Sequence, residues 1–257
     1  MYNPIFLIIA TLRVVLICLS LIIFLIPFII FNAIFGNNPK RSFAVRRLWV
    51  KQARWILGIR GSVEGSAHKD TVLYVCNHRS FSDPLILATY IDTYVIAKAE
   101  VENIPLIGKG AKMTGVIYVN RESKDSRSAV RQKMVETLLE DKNVLVYPEG
   151  TTNMHYQTKP YKPGTFIEAT KNKIPVVPVV LEYKRKKDLW ENCGIVKHHF
   201  KQFGRLFTRY KIIIGPKMYN QDGIALKEEV ETWTNDKIKE IHSNWNSYFN
   251  QQLEQTS

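Results

Sequence analysis

No charged residue occurs from Val14 to Pro39, and Val14 to Phe35 is nearly all Val, Ile, Leu and Phe, interrupted by Ser20, Pro27 and Asn32. About 20 apolar residues suffice to cross a bilayer. The run is too long for a typical signal-peptide core, and no Ala-x-Ala site follows it. It predicts a retained membrane anchor within residues 1–39. Pro27 admits two forms, a kinked single span or a re-entrant helical hairpin, of which length favours the span. Lys40, Arg41, Arg46, Arg47, Lys51, Arg54 and Arg60 follow, whereas only Arg13 precedes. The positive-inside rule then places the rest of the chain on the cytoplasmic side, where the re-entrant form would leave it too. The same basic run suits the negative inner leaflet. Within it, Phe43, Leu48, Trp49, Ile56 and Leu57 fit one face of a helix lying on membrane or body.

Residues 40–257 alternate between two periodicities. Thr71–Cys76, Tyr94–Ala97, Val116–Val119, Asn143–Tyr147, Pro175–Leu181 and Tyr210–Ile214 read as strands. Helical patterns start at Leu85 and run over Ser126–Lys142 (Val130, Met134, Val135, Leu138 and Leu139 inward), Thr165–Lys173 and Leu226 to about Leu253. Such alternation predicts an α/β domain, a mostly parallel or mixed sheet flanked by helices. Pro175 and Pro178 favour an edge position or irregular ends for their strand. No internal repeat or low-complexity segment appears.

The 257 residues carry a formal charge of +13, which suits an anionic partner. Residues 184–217 concentrate Lys184, Arg185, Lys186, Lys187, Lys197, Lys201, Arg205, Arg209, Lys211 and Lys217 among Trp190, Phe200, Phe203, Phe207 and Tyr210. Nucleic-acid binders share that composition, but with an apolar anchor in the same chain a lipid headgroup interface is the better fit, and no nucleic-acid partner is expected. Cys18, Cys76 and Cys193 are odd in number and far apart, which argues against a disulfide framework. Cys76, ending an apolar strand, reads as packing. No Cys-x-x-Cys pair or other zinc spacing occurs, so no metal is expected. Gly108-Lys109-Gly110 lacks the other residues of a P-loop.

Four polar patches fall at or near predicted strand ends. Asn77-His78-Arg79-Ser80-Phe81-Ser82-Asp83-Pro84 bridges a strand and a helix, where ligand sites of α/β sheets collect. Asp83 can fix the His78 tautomer and leave the other ring nitrogen as a base; the same Asp83-Pro84 pair also suits a helix Ncap and N1. Gly115–Arg121 delivers Arg121 as its strand finishes. Tyr147-Pro148-Glu149-Gly150-Thr151-Thr152 follows another strand, and Ile174–Pro178 opens a fourth. Together they bring a base, a cation, a carboxylate with backbone donors and an apolar wall to one sheet edge.

These patches, in this order across residues 45–220, resemble the glycerolipid acyltransferase superfamily, in particular 1-acylglycerol-3-phosphate acyltransferases of the PlsC type. His78-x-x-x-x-Asp83 matches the first motif, Gly115–Arg121 resembles the second, Pro148-Glu149-Gly150-Thr151 matches the third and Val177-Pro178-Val179 resembles the fourth. Lys162-Pro163-Gly164 is similar to the Lys-x-Gly turn after the third motif, and Lys98 falls in a stretch that is often basic in the family. Thr152 departs from the pattern, which commonly has Arg there; Lys159 and Lys162 are the cations near enough in sequence to compensate.

The resemblance implies catalytic His78 and Asp83, with Arg121, Glu149, Gly150, Thr151, Lys98 and Lys162 binding substrate. It implies transfer of an acyl chain from acyl-CoA or acyl carrier protein to the free hydroxyl of 1-acylglycerol 3-phosphate, giving phosphatidic acid. The donor is a substrate, and no cofactor is implied. Glu149 is expected to accept a hydroxyl or to fix Arg121, since it would repel phosphate. Thr152 keeps other acceptors open: an aminoacyl lysolipid, a lysophospholipid with a larger headgroup, or glycerol 3-phosphate. A non-catalytic basic membrane protein would need the charge and the anchor but not His78.

Overall fold

The computed structural model describes residues 4–103, 107–119, 126–191 and 194–245. Helix α1 (Pro4–Phe35) is continuous, with Pro27 inside it and no re-entrant turn. The chain reverses through Gly36, whose φ is +70°. Asn38 then caps α2 (Pro39–Ile56) by accepting the Arg41 N–H at 3.2 Å, with Pro39 in the first turn. Neither α1 nor α2 stands apart from the body. Arg13 of α1 donates to the carbonyls of Phe203 and Leu206, both at 2.8 Å, and also to that of Arg205. His199 donates to the Ala10 carbonyl at 3.1 Å, Trp49 to Ser20 Oγ at 3.2 Å and Arg41 to Asn32 Oδ1 at 2.6 Å. These contacts span α1 from Ala10 to Asn32, roughly 33 Å of helix at 1.5 Å per residue.

The sheet contains β1 (Ile59–Glu64), β2 (Leu73–Cys76), β3 (Tyr94–Lys98), β4 (Val116–Val119), β5 (Val144–Val146), β6 (Val176–Tyr183) and β7 (Thr208–Ile214). Its order is β1-β7-β6-β2-β5-β3-β4, parallel throughout except for the antiparallel β6–β7 pair. Helices α3 (Asp83–Leu87), α4 (Ile107–Met113), α5 (Ser126–Leu139), α6 (Gly164–Lys171), α7 (Ile195–Phe203) and α8 (Gly223–Trp245) complete the described fold. This is the mixed α/β sheet flanked by helices that the alternation predicts. Strand β2 shows why its sequence is apolar at every position: Leu73 and Val75 enter one core cluster, Tyr74 and Cys76 the other. A strand with both faces covered needs no alternation.

Several expectations change. The Pro175–Leu181 strand is not at an edge: β6 lies between β7 and β2 and is buried at every residue. The sheet tolerates Pro178 because it sits where β7 ends. Its carbonyl accepts the Gly215 N–H at 2.8 Å, and the Gly215 carbonyl, which Pro178 cannot serve, takes His68 Nε2 at 3.1 Å. Edge strand β1 lacked a readable pattern, since Arg60, Gly61 and Ser62 carry no apolar side chain. Gly61 is required there: a Cβ would lie 2.2 Å from the Tyr210 carbonyl. Leu139, expected inward on α5, is 65% exposed, while Met134 and Leu138 are buried. Residues 184–217 are not one surface segment: Phe203 and Tyr210 are core, and α7 packs on α1. The extension of α8 toward Leu253 lies outside the described residues.

Candidate active site

Strand β2 ends at the centre of the sheet, and the next residues hold the chain in place with their side chains. Asn77 continues the ladder: its Oδ1 accepts the Leu181 N–H at 2.9 Å and its Nδ2 donates to the Leu181 carbonyl at 3.1 Å. The backbone then turns so that His78 meets Asp83 at the start of α3, Nδ1 to Oδ2 at 2.8 Å. Asp83 does not cap α3. Ser82 holds the Ncap position, without a side-chain capping bond. The Asp83 carboxylate instead faces back into its own loop, where Oδ2 also accepts the N–H groups of Arg79 at 2.6 Å and Ser80 at 2.9 Å. Its other oxygen, Oδ1, accepts the Tyr183 hydroxyl at 2.7 Å. Four donors thus fix a carboxylate with no exposed surface.

With Nδ1–H donated to Asp83, His78 carries its lone pair on Nε2, which has no hydrogen-bond partner among the described residues. The imidazole stacks on Tyr147 at 4.2 Å between ring centroids, and its side chain is 20% exposed. The pair is therefore held rigidly behind and open in front, as general-base catalysis requires.

The loop after β5 clasps this turn from the neighbouring strand. Glu149 Oε1 accepts the His78 N–H at 2.8 Å, Oε2 accepts the Lys159 N–H at 2.8 Å, and the His78 carbonyl accepts the Asn153 N–H at 2.8 Å. Both carboxylate oxygens are thus engaged by backbone, a use of Glu149 that was not anticipated. Burial pushes the Glu149 carboxyl up, against the pull of those two N–H groups. Gly150 has φ +74°, and a Cβ on it would lie 2.2 Å from Lys162 Nζ, so the lysine lies directly over the turn. Thr151 is exposed beside it. Lys159 Nζ donates to the Thr152 carbonyl at 3.3 Å, which brings a cation to the position where the family pattern has Arg. Lys98 ends β3 opposite Val119, but its side chain lies outside the described residues. Arg121 also lies outside them. The strand that leads to it, β4, is the third from β2, about 14 Å away at ordinary strand spacing.

One group of site residues escaped sequence reading. Arg79 is fully buried and donates from Nε to Glu182 Oε1 at 2.6 Å, and from its other nitrogens to the carbonyls of His155 at 2.6 Å, Tyr156 at 2.9 Å and Asn153 at 3.2 Å. Glu182 also meets Asn77 Nδ2 at 2.8 Å and His242 Nε2 at 2.9 Å. Burial alone would raise the Glu182 carboxyl, but Arg79 and His242 prevail and hold it below the usual range. A signal was present: a carboxylate inside the apolar run Val176–Tyr183 must be paired. Cys76, fully buried beside this network, has its thiol pushed well up by burial, which fits packing and not nucleophilic use.

Comparison with known proteins bears on the same stretch. A family model described as Acyltransferase matches residues 60–182. The chain is 34% identical over 145 residues to the 1-acyl-sn-glycerol-3-phosphate acyltransferase of Borreliella burgdorferi, covering 54% of this chain and 58% of that protein. It is 31% identical over 139 residues to the lyso-ornithine lipid O-acyltransferase of Pseudomonas aeruginosa, 54% of each. It is 31% identical over 173 residues to the 1-acyl-sn-glycerol-3-phosphate acyltransferase alpha of Mus musculus, 63% of this chain and 60% of that one. The matches therefore span little more than half the length of these relatives. The crystal structure of the 1-acyl-sn-glycerophosphate (LPA) acyltransferase PlsC from Thermotoga maritima shares the fold, with a TM-score of 0.67 over 92% of this chain and 99% of that one, at 19% identity. The matched residues contain the central strands, the His78–Asp83 turn and the Glu149 clasp, and over this stretch the chain is similar to the acyltransferase family model and to relatives named as 1-acyl-sn-glycerol-3-phosphate acyltransferases.

Proposed function

We propose that the protein transfers an acyl chain from an acyl thioester, acyl-CoA or acyl carrier protein, to the free hydroxyl of 1-acylglycerol 3-phosphate. The observation that carries this reading is the 2.8 Å His78–Asp83 pair at the carboxyl end of the central strand, with Nε2 left without a partner among the described residues. His78 Nε2 takes the hydroxyl proton as the acceptor oxygen attacks the thioester carbonyl. The tetrahedral intermediate collapses, the carbon–sulfur bond breaks, and the imidazolium returns the proton to the departing thiolate. Asp83 holds the imidazole in the required tautomer and stabilises the imidazolium. No protein nucleophile is needed. Arg121 and Lys98 are assigned to the substrate's anionic groups by motif position, and Lys162 by its place over Gly150. Gly150 and Thr151 shape that side of the site. Glu149 acts by fixing the His78 backbone.

The outward face of α1 supports membrane association: Ile8, Ile23 and Ile34 are each about two-thirds exposed, a surface that suits acyl chains. The excess of Lys and Arg after α1 supports a cytoplasmic active site. A second acceptor class is favoured by one observation, the Lys159–Thr152 arrangement in place of the family's Arg, together with the relative named for a lyso-ornithine lipid. The deciding experiment presents purified protein in micelles with a lysolipid panel and both donors, and identifies products by mass spectrometry. Phosphatidic acid as the main product is the expected result. Turnover confined to another lysolipid would replace the acceptor, and no turnover with any lysolipid would remove the reading.

A further inference from the structure

Behind Asp83 lies a chain of buried polar side chains that the acyl-transfer chemistry leaves unexplained. Tyr183, at the end of β6, donates its hydroxyl proton to Asp83 Oδ1 at 2.7 Å. Its oxygen is then an acceptor for Ser82 Oγ–H at 2.8 Å. Ser82 Oγ accepts Gln202 Nε2–H at 3.0 Å. Gln202 Oε1 lies 3.1 Å from His198 Nε2. His198 Nδ1 is buried with no partner among the described residues, so the proton belongs on Nε2, where an acceptor waits. Desolvation lowers the His198 pKa to about 4 and keeps the ring neutral near pH 7. Along the path through Gln202, Ser82 and Tyr183 each donor points the same way and the path ends on a carboxylate; the Ser80 hydroxyl, 3.0 Å from His198 Nε2 and 3.2 Å from Ser82 Oγ, forms a side branch at its far end. Hydrogen bonds aligned in this manner polarise one another. The far end sits on α7, the helix whose terminal carbonyls receive Arg13.

We propose that Tyr183 is a positioning residue for the His78–Asp83 pair, acting as the last member of a one-way donor chain from α7 that fixes which oxygen of Asp83 faces the imidazole. Tyr183 touches neither His78 nor the open face of the site and is fully buried. Its loss should therefore alter the base without altering substrate binding. The sign follows from charge. Removing the phenol O–H leaves more negative charge on Asp83, which favours the imidazolium opposite it. The other titratable and charged groups around the pair are unchanged by the substitution: Tyr147 stacked on the ring, Glu149 on the His78 N–H, the Cys76 thiol, and Arg79 turned away to Glu182.

Kinetically the proposal rests on His78 as the base. In Tyr183→Phe, kcat should fall about tenfold, a part of the roughly 10²–10⁴ that a positioned base supplies. KM for both substrates should stay within about twofold, because no binding contact is lost. The acid limb of the pH–kcat/KM profile should move up by about 0.5–1 unit, as expected when one charge-assisted hydrogen bond is lost. The same shift should appear without turnover in an NMR titration of the His78 ring in micelles, assigned with His78→Gln. Ser82→Ala, which removes the donor to the phenol oxygen and the acceptor of Gln202 Nε2 but leaves the Tyr183–Asp83 bond in place, should give a smaller shift of the same sign and carries the test if Tyr183→Phe does not fold. A folded variant whose titration and acid limb both match wild type overturns the proposal. A wild-type protein that transfers no acyl chain, but whose His78 titration still moves in Tyr183→Phe, removes the proposed function and leaves the donor chain standing.

Discussion

Asp83 shows how one side chain can serve two readings that only geometry separates. Asp followed by Pro is a good helix start, and α3 does start there, but the carboxylate is spent on His78, two loop N–H groups and Tyr183. His78→Ala should lower kcat by roughly 10²–10⁴ while leaving lysolipid binding near wild type, measured by turnover and by equilibrium partition of labelled lysolipid. Retention of more than about a tenth of wild-type kcat would assign the base elsewhere. Glu149→Gln should behave differently. The amide keeps one acceptor but turns an NH2 toward a backbone N–H, of His78 or of Lys159, and leaves that donor unsatisfied. A loss of about 1–3 kcal/mol in stability is expected, read by urea unfolding, together with slower turnover. Arg121→Ala should raise KM for a phosphate-bearing acceptor by the equivalent of about 1.5–3 kcal/mol and leave donor KM nearly unchanged. His78, Asp83 and Glu149 could be singled out because polar residues beside apolar strands stand out within one window, but the backbone bonds that Glu149 makes to His78 and Lys159 could not. Arg79 and Tyr183 could not either, since their partners, Glu182 and Asp83, lie about a hundred residues away and carry no local signature.

Helix α7 was hidden for a physical reason at the level of the element. It spans only nine residues, four of them Lys or His, and much of what orders it is tertiary, from α1 and from the Ser80–Ser82 loop. Strand β6 was readable as a strand, but its place in the sheet was not, because the repair of Pro178 by Gly215 and His68 is a tertiary matter. His198 gives α7 a measurable signature. Its ordinary pKa of 6.5 is lowered to about 4 by burial. Between those values the unfolded chain binds a proton that the folded chain refuses, so stability is lost as pH falls from 6.5 toward 4. Asp188, raised by burial from 3.8 to about 6, works in the opposite sense: the folded chain keeps its proton, and stability is lost as pH rises from 3.8 toward 6. Each effect is on the order of 3 kcal/mol, and the two oppose each other in the wild-type profile between pH 4 and 6. The stability difference between wild type and His198→Gln isolates the histidine and should shrink or reverse as pH falls through this window. A difference constant from pH 7 to 4 would mean that His198 titrates normally.

Over the whole molecule, charge and apolar surface were read from composition, and the sheet class from alternation. What composition could not reveal is how closely the apolar helix is joined to the body. Arg13 stands inside an otherwise apolar helix because it serves the carbonyls at the end of α7. Arg13→Met should therefore cost about 1.5–3 kcal/mol in detergent, measured by thermal or urea unfolding, and Arg13→Lys should recover part of it, since an ammonium cannot fork across several acceptors. A neutral Arg13→Met would mean that water or detergent serves those carbonyls equally well. The arrangement has a practical consequence for anyone seeking a water-soluble form of this protein. Cutting the chain after Phe35 would strip α7 of its terminal donor, uncover the packed face of α2 and expose Leu25 and Phe28 contacts that now belong to the interior. Detergent-free handling is better sought by recolouring the outward row, with Glu, Lys or Gln at Ile8, Leu12, Ile23, Ile30 and Ile34, so that the helix stays and only its affinity for lipid is removed.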